Sequence, residues 1–315
     1  MSEDQVRLGP TVRRLTAEDL GVGYVQDNQA LRPASSPDTP LPDAADPDIQ
    51  EVRALLRDYS GVLLAGPPGT SKTYLASAVA RLMTQGDTSR MAFVQFHPSY
   101  QFEDFMEGYR PRIGGGFERR EGIFLRMCAA ALADPDHEYV LVIDELSRGD
   151  AARVFGEALT YIEKSLRMQR FVLPSGLEAQ VPLNLHIIAT MNPLDRGVDE
   201  VDAAFERRFA KKLMLPNADL LEDRLRSNGL DETLVQGLVK WFKNINGQSR
   251  SEPAAALGHA YFWSITDRQS MQDVWEYQVQ HHVTRAFKYN DQASDGLRQA
   301  WVDIASDDAP ASATS

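Results

Sequence analysis

The sequence predicts an α/β fold in which helices flank a parallel sheet, followed by a smaller helical domain. Short apolar runs alternate with helical segments, which is typical of a parallel sheet covered on both faces. A glycine- and proline-rich string follows the first run and precedes a helix. After Pro216 the apolar residues recur at helical spacing. The apolar runs read as strands are GVLLAG (61–66), AFVQF (92–96), YVLVIDE (139–145) and LHIIATMN (185–192).

Composition indicates a globular protein with a sizeable core. The chain has 315 residues, of which 43% are hydrophobic and 25% are charged. Its formal net charge of −12 argues against a free-standing nucleic-acid-binding protein, because such proteins carry basic patches that replace phosphate counterions. A local basic strip, for example inside a ring of several subunits, is still compatible with this net charge.

The single cysteine and the lack of long apolar stretches limit which cellular compartments fit the protein. Cys128 cannot form an internal disulfide or a site with several thiolate ligands, and its setting in LRMCAAAL predicts a buried, inert thiol. The N-terminus has no apolar core typical of a signal peptide, and no run approaches about 18 apolar residues. The sequence therefore predicts a cytoplasmic protein without membrane contact.

Four regions are expected along the chain. Residues 1–47 form an N-terminal arm and a linker, since five of the fifteen residues from Pro33 to Pro47 are proline. Residues 48–216 form the α/β domain, and residues 217–305 form the helical domain. Residues 306–315, SDDAPASATS, have the composition of a disordered tail.

The glycine-rich string GPPGTSKT (66–73) is the most specific signal. Between a strand and a helix, such a P-loop wraps phosphates with backbone N–H groups, while Lys72 meets the β- and γ-phosphates and the Thr73 hydroxyl binds Mg²⁺. Ser71 stands where the strict pattern has glycine. The alternative is a chance turn, but the flanking strand and helix favour nucleotide binding. The predicted nucleotide-binding residues are Gly66, Pro67, Pro68, Gly69, Thr70, Ser71, Lys72 and Thr73.

A pair of acids ends the strand YVLVIDE. Asp144 is predicted to hold Mg²⁺ together with Thr73, and Glu145 to polarise the water that attacks the γ-phosphate. The alternative interpretation is that both acids are ordinary solvent-facing carboxylates at a strand end. The P-loop upstream argues for the functional interpretation. With Lys72 and Thr73, these acids predict hydrolysis of ATP or GTP rather than binding alone.

Further catalytic candidates follow the strand that ends in ATMN (189–192). Asn192 is placed to orient the water or contact the γ-phosphate. In AFERRF, Arg207 or Arg208 is predicted to stabilise the charge on a transferring phosphoryl group, supplied by an adjacent subunit. The alternative is that either arginine forms a surface ion pair with Glu206 or Asp202.

Two other segments have open interpretations. His97, Tyr100, Phe102, Phe105 and Tyr109 either grip a substrate or pack in the core, and packing is favoured for most of them. The stretch from 170 to 182, with its Pro-Ser-Gly cluster, is predicted to form a hairpin before the fourth strand.

Taken together, these strings resemble the AAA+ superfamily, its dynein-related branch, and more narrowly the McrB-type restriction NTPases. The similar segments lie between about residues 50 and 290. They are QFHPSYQFEDFMEGYRP (95–111), IDELSRGDAARVFGEALTYIEKSLR (143–167), ATMNPLDRGVDEVDAAFERRF (189–209) and LGHAYFW (257–263).

The resemblance implies an AAA+ core with a helical lid, a ring of subunits, a hexamer, and a separate effector such as an McrC-like nuclease. It implies DNA contact through the ring or the partner, and a pore-facing hairpin at 170–182. It also implies that Asn192 and Asp195 are polar signature residues near the γ-phosphate and the subunit boundary. His259 and Tyr261 would lie near the nucleotide, although packing of the lid core explains them equally well.

One departure affects the choice of nucleotide. This chain has Asn192-Pro193 where McrB-type proteins commonly have Asn-Thr, and restores Asp195-Arg196 beyond it. Pro193 makes the segment resemble MoxR-type chaperones, which use ATP. The sequence therefore favours ATP with Mg²⁺ and leaves GTP open.

The leading hypothesis for function is the motor subunit of an McrB-type anti-phage restriction system. One alternative is a MoxR-like ATP-dependent chaperone. Another is an NTP-gated scaffold without productive turnover, and the predicted catalytic Glu145 argues against that scaffold.

Overall fold

The computed structural model describes residues 40–112, 115–193 and 203–306. Most of the predicted N-terminal arm, most of the predicted tail, and the predicted signature residues Asp195 and Arg196 lie outside these ranges.

The strands of the described residues form one parallel sheet and two separate hairpins. In the sheet the order is β2-β5-β8-β1-β9, and every pairing is parallel. The predicted α/β class is therefore confirmed. The strands are β1 (Gly61–Ala65), β2 (Met91–Gln95), β3 (Glu107–Pro111), β4 (Phe117–Glu121), β5 (Tyr139–Asp144), β6 (Arg170–Val172), β7 (Glu178–Gln180), β8 (Leu185–Met191) and β9 (Phe209–Leu213).

Helices cover the sheet and form the C-terminal region. The α-helices are α1 (Pro47–Asp58), α2 (Lys72–Met83), α3 (Phe102–Phe105), α4 (Ile123–Ala133), α5 (Ala151–Phe155), α6 (Ala158–Tyr161), α7 (Ala203–Glu206), α8 (Ala218–Ser227), α9 (Glu232–Gly247), α10 (Arg268–Val274), α11 (Gln280–Ala286) and α12 (Asp291–Ala305). A π-helix, Trp275–Val279, joins α10 to α11. Short 3₁₀ segments are Thr88–Arg90, Leu146–Arg148, Lys164–Leu166, Gln248–Arg250, Pro253–Ala255 and His259–Phe262.

Alternate residues of the sheet strands enter two different cores. Leu63 packs into the core on the side of α4 and α5, whereas Val62 and Leu64 pack on the side of α1 and α2. This explains why the strands read as continuous apolar runs rather than as alternating patterns. The C-terminal helices enclose a third core around Trp241 and Trp301.

Helix starts near the first strand and in the C-terminal region follow local capping signals. Asp46 precedes α1, with Pro47 at its first position, and its carboxylate accepts the N–H groups of Asp48 and Ile49. Asn217 caps α8 through the N–H groups of Asp219 and Leu220. The first helix after β9 thus begins directly after Asn217.

The hairpin predicted at 170–182 is present as β6 and β7, and a second hairpin, β3–β4, precedes α4. A buried carboxylate joins the two hairpins: Glu107 accepts from Arg119 Nε at 2.6 Å, Ser175 N at 2.9 Å and Ser175 Oγ at 2.8 Å. Although burial alone raises the pKa of Glu107, these hydrogen bonds hold it below the ordinary glutamate value.

The aromatic segment before β3 is mainly packed, as favoured by the sequence. Phe105 is fully buried, and Tyr100 and Phe102 pack against the same core. Tyr109 is the exception, because 64% of its side chain is exposed. Cys128 is buried as predicted, and burial raises the pKa of its thiol.

Within the described ranges, every helix is too short or too polar to cross a membrane.

Candidate nucleotide-binding site

The predicted phosphate loop and the predicted acids lie at one edge of the sheet. The loop follows the carboxyl end of β1, Asp144 ends β5, and Asn192 comes directly after β8. Because β8 lies between β5 and β1, the carboxyl ends of three neighbouring parallel strands meet here. In open α/β sheets this edge is where ligands bind.

The phosphate loop adopts a compact backbone that ends at the start of α2. Gly69 and Ser71 both have left-handed conformations, with φ angles of 76° and 63°. A Cβ atom at Gly66 would lie 2.1 Å from the carbonyl oxygen of Met214, so glycine is required there by a close approach. The amino end of α2 faces the loop and offers N–H groups and a partial positive charge to an anion.

The ammonium group of Lys72 lies inside the loop. Its Nζ donates to the carbonyl oxygens of Gly66 at 2.8 Å and Pro67 at 2.9 Å. These contacts fold the long side chain back over the loop, where bound phosphate oxygens would meet a positive charge.

A hydroxyl and a carboxylate from distant parts of the chain meet beside the loop. Thr73 Oγ1 donates to Asp144 Oδ1 over 2.9 Å. An oxygen donor set of this kind suits Mg²⁺, which needs only one or two protein oxygens when phosphates and water supply the rest. Among the described residues, no cluster of three or more His, Cys, Asp or Glu side chains could hold a metal alone.

The structure adds Thr190 to this site, which the sequence reasoning did not single out. Its buried hydroxyl donates to Asp144 Oδ1 over 2.5 Å and accepts the N–H of Glu145 over 3.2 Å. Thr190 therefore fixes both acids from the neighbouring strand. Its place two residues before Asn192 in ATMN was the available signal.

Glu145 is partly exposed at the same edge and is held by a neighbouring arginine. Its backbone has a left-handed φ of 55°, and Arg148 Nε donates to its Oε2 over 3.1 Å. Asn192 is buried next to the loop, since the preceding residue Met191 accepts the N–H of Gly66 at 3.2 Å.

Arg207 and Arg208 lie at the opposite edge of the sheet. They precede β9, whose Phe209 pairs with Gly61 at the amino end of β1. The length of β1, roughly 16 Å, separates them from the loop at its carboxyl end. Neither arginine can therefore serve the phosphate loop of its own chain.

The two arginines differ in exposure. Arg207 is exposed, whereas Arg208 is buried and approaches Glu163 with its Nε at 3.5 Å. Glu206, the alternative partner considered for them, pairs with Lys211 at 2.9 Å. Asp202 lies outside the described residues.

A cavity of about 1040 Å³ adjoins the phosphate loop on the side of the helical region. It is large enough for a base and a sugar next to the loop. It is lined by residues that include Thr70, Ser71, Tyr74, Leu215, Asn217 and Trp263.

Residues 61–209 match the family model of the AAA domain of the dynein-related subfamily. This match includes the loop, both acids, Asn192 and the arginine pair. The chain contains an AAA domain of the dynein-related subfamily. The resemblance stated from the sequence is thereby confirmed, and with it the class of nucleoside triphosphate hydrolases.

Two curated relatives of this AAA protein are components of restriction enzymes. One is the type IV methyl-directed restriction enzyme EcoKMcrB subunit of Escherichia coli, 33% identical over 68% of this chain and 50% of that protein. Another is the type II restriction enzyme BsuMI component YdiS of Bacillus subtilis, 25% identical over 52% of this chain and 59% of that protein. The chain spans between half and three-fifths of the length of these relatives.

A solved structure from Cytophaga hutchinsonii aligns over 81% of this chain and 80% of that one, at 15% identity and a TM-score of 0.37. It adds nothing about function.

Proposed function

We propose that this chain hydrolyses ATP in preference to GTP, with Mg²⁺, as the ring-forming motor subunit of an McrB-type restriction system. The observation that carries the proposal is the contact between Thr73 and Asp144. It joins the end of the phosphate loop to the acid-bearing strand over 2.9 Å, although 71 positions separate the two residues.

The proposed roles follow from this geometry. Backbone N–H groups of residues 66–73 bind the phosphates, and Lys72 neutralises their charge. Thr73 and Asp144 would hold Mg²⁺, which would offset the negative charge that develops during phosphoryl transfer. Glu145 orients the attacking water and accepts its proton, and Asn192 contacts the water or the γ-phosphate.

Hydrolysis is proposed to require a neighbouring subunit. The exposed Arg207 is the better candidate for the trans-acting arginine, because Arg208 is buried beside Glu163. Its position at the far edge of the sheet supports action on another subunit's nucleotide. A closed ring, expected to be a hexamer, brings this edge against the neighbour's loop.

A restriction role is supported by the two relatives, both of which are restriction-enzyme components. We propose that this chain supplies the motor and that a separate effector, an McrC-like nuclease, cuts DNA. DNA contact belongs to the ring or the effector.

The test is hydrolysis of ATP and of GTP by the purified chain, measured with and without duplex DNA and with the effector subunit. Stimulation by DNA or effector supports the restriction motor. Pro193, which resembles the MoxR-type segment, keeps a protein-remodelling chaperone as the second candidate. ATP hydrolysis that responds to a protein substrate and to neither DNA nor effector would favour the chaperone and contradict the restriction role.

A further inference from the structure

A segment of the helical region is hydrogen-bonded directly to the phosphate loop. Gly258 N donates to the carbonyl oxygen of Pro68 at 3.0 Å, and Ala260 N donates to that of Gly69 at 2.9 Å. The loop carbonyls thus point towards the helical region. We call residues 258–261 the docking segment.

The contact between the docking segment and the loop leaves no spare space. A Cβ atom at Gly258 would lie 2.0 Å from Gly69 C and O, and one at Gly69 would lie 2.6 Å from the Tyr261 ring. Glycine is needed on both sides because the two backbones touch. A shift of one segment therefore disturbs the other.

His259 adds a side-chain link between three parts of the protein. Its Nε2 lies 3.1 Å from Ser71 Oγ in the loop, and its Nδ1 lies 3.3 Å from Asn217 N at the start of the helical region. Only 3% of its surface is exposed, and its ring packs near Trp263, with 5.8 Å between centroids.

The Asn217 contact determines the tautomer of His259. A backbone N–H can only donate, so Nδ1 must be unprotonated and accept. The neutral ring then carries its proton on Nε2 and donates to Ser71 Oγ. Burial lowers the pKa of His259, which favours this neutral form.

Ser71 is the residue that departs from the strict P-loop pattern. It has a left-handed φ of 63°, which glycine adopts without strain and other residues adopt at a cost of about 1 kcal/mol. His259 contacts the Ser71 hydroxyl, a group that a glycine at this position would lack. The serine thus provides a link that glycine could not.

We propose that His259 is a positioning residue for the nucleotide site, and that Ser71 replaces glycine in order to join the phosphate loop to the helical region through it. The chain Asn217–His259–Ser71 holds the docking segment against the loop. This orients the loop's N–H groups towards the phosphates before nucleotide arrives. The inference rests on the proposed nucleotide site.

Nucleotide affinity tests the proposal through a double-mutant cycle. His259→Phe keeps a ring beside Trp263 but removes both hydrogen bonds, and Ser71→Ala removes the other partner. Each single variant should raise the Kd for Mg·ADP about three- to tenfold, measured by calorimetry with Mg·GDP in parallel. The double variant should bind no more weakly than His259→Phe, because both changes remove one interaction. His259→Gln, which can still donate to Ser71, should recover part of the affinity.

A second buried histidine separates positioning from general damage. His282 lies in the same helical region, where its Nε2 is 3.2 Å from the Ala255 carbonyl oxygen. His282→Gln should lower thermal stability and leave the Kd unchanged.

Hydrogen exchange tests the docking directly and without nucleotide. Backbone amides of residues 258–261 should exchange faster in His259→Phe and Ser71→Ala than in wild type and His282→Gln. Unchanged hydrogen exchange and unchanged nucleotide affinity in both His259→Phe and Ser71→Ala would overturn this inference. The proposed function would still stand if the wild type binds nucleotide and Lys72→Ala does not. Absence of nucleotide binding by wild type would overturn both.

Discussion

The hydroxyl group of Thr190 donates to Asp144 Oδ1 over 2.5 Å and accepts the backbone N–H of Glu145 over 3.2 Å. One buried side chain on β8 therefore orients both acids at the end of β5. Thr73 approaches the same oxygen of Asp144. The metal-binding and water-polarising groups are thus held by a network that crosses neighbouring strands.

Thr190→Val should slow hydrolysis more than it weakens nucleotide binding. Valine fills the same space but leaves the Glu145 N–H without its present acceptor and removes one donor to Asp144. If these changes raise the activation free energy of hydrolysis by about 1–3 kcal/mol, kcat falls about 5- to 150-fold. Steady-state kinetics and Mg·ADP affinity measure the two effects. Thr190→Ser, which retains the hydroxyl, should stay near wild type, and a Thr190→Val enzyme with normal kcat would contradict the positioning role.

Glu145→Gln should preserve nucleotide binding and stop turnover. The amide cannot accept a proton from water, whereas the phosphate loop and the Thr73–Asp144 pair are unchanged. The variant should accumulate as an assembled, ATP-bound oligomer, measured by bound nucleotide and particle mass. Hydrolysis at the wild-type rate would show that another group acts as the base.

Arg207→Ala should slow nucleotide hydrolysis without weakening nucleotide binding by the same chain, because the Arg207 side chain lies at the edge of the sheet opposite its own phosphate loop. Arg208→Ala should mainly lower stability, since Arg208 is buried beside Glu163. Mixing Arg207→Ala with Lys72→Ala should partly restore hydrolysis, because some neighbouring pairs combine an intact loop with an intact arginine. Failure of every mixing ratio to restore activity would count against action in trans.

Glu107→Gln should loosen the junction between the two hairpins. Its carboxylate is 6% exposed and accepts from Arg119 and Ser175, so the change should lower the free energy of unfolding by about 1–3 kcal/mol at neutral pH. Urea denaturation measures the loss. Glu118→Gln is the matched control, because Glu118 is partly exposed on the same hairpin and pairs with the exposed Arg120. That variant should change stability by less than about 0.5 kcal/mol.

The Glu107 effect should depend on pH. The folded-state pKa lies below the ordinary value of 4.5, so the contribution is present above that pH and is lost as pH falls through the folded pKa. The wild type and Glu107→Gln should therefore converge in stability at acidic pH. A difference that stays constant or grows on acidification would contradict the ion-pair explanation.

The sequence predicted the parts of the structure that have strong local signals. Buried strands such as YVLVIDE are continuous apolar runs, and the loop GPPGTSKT lies between a strand and a helix, so the parallel sheet and the loop were predictable from local patterns. The β3–β4 hairpin escaped prediction because four of the five residues of FERRE are charged and the segment has no apolar alternation.

The contacts of Thr190 and His259 were beyond sequence reasoning for a different reason. Each depends on long-range packing that brings its segment against a distant partner, 46 positions away for Thr190 and Asp144 and 188 for His259 and Ser71. The choice between Arg207 and Arg208 likewise needed their burial, which adjacent letters cannot distinguish.

The measurement that tests the central claim most directly is hydrolysis of ATP and GTP by purified wild-type chain beside Lys72→Ala, with oligomer mass recorded. Removing the Lys72 ammonium leaves the phosphate charge unmatched at the loop. The account predicts Mg²⁺-dependent hydrolysis by the wild-type oligomer, with ATP used faster than GTP, and no nucleotide binding or hydrolysis by Lys72→Ala. Wild-type activity in Lys72→Ala, or no hydrolysis of either nucleotide by an assembled wild-type ring, would contradict it.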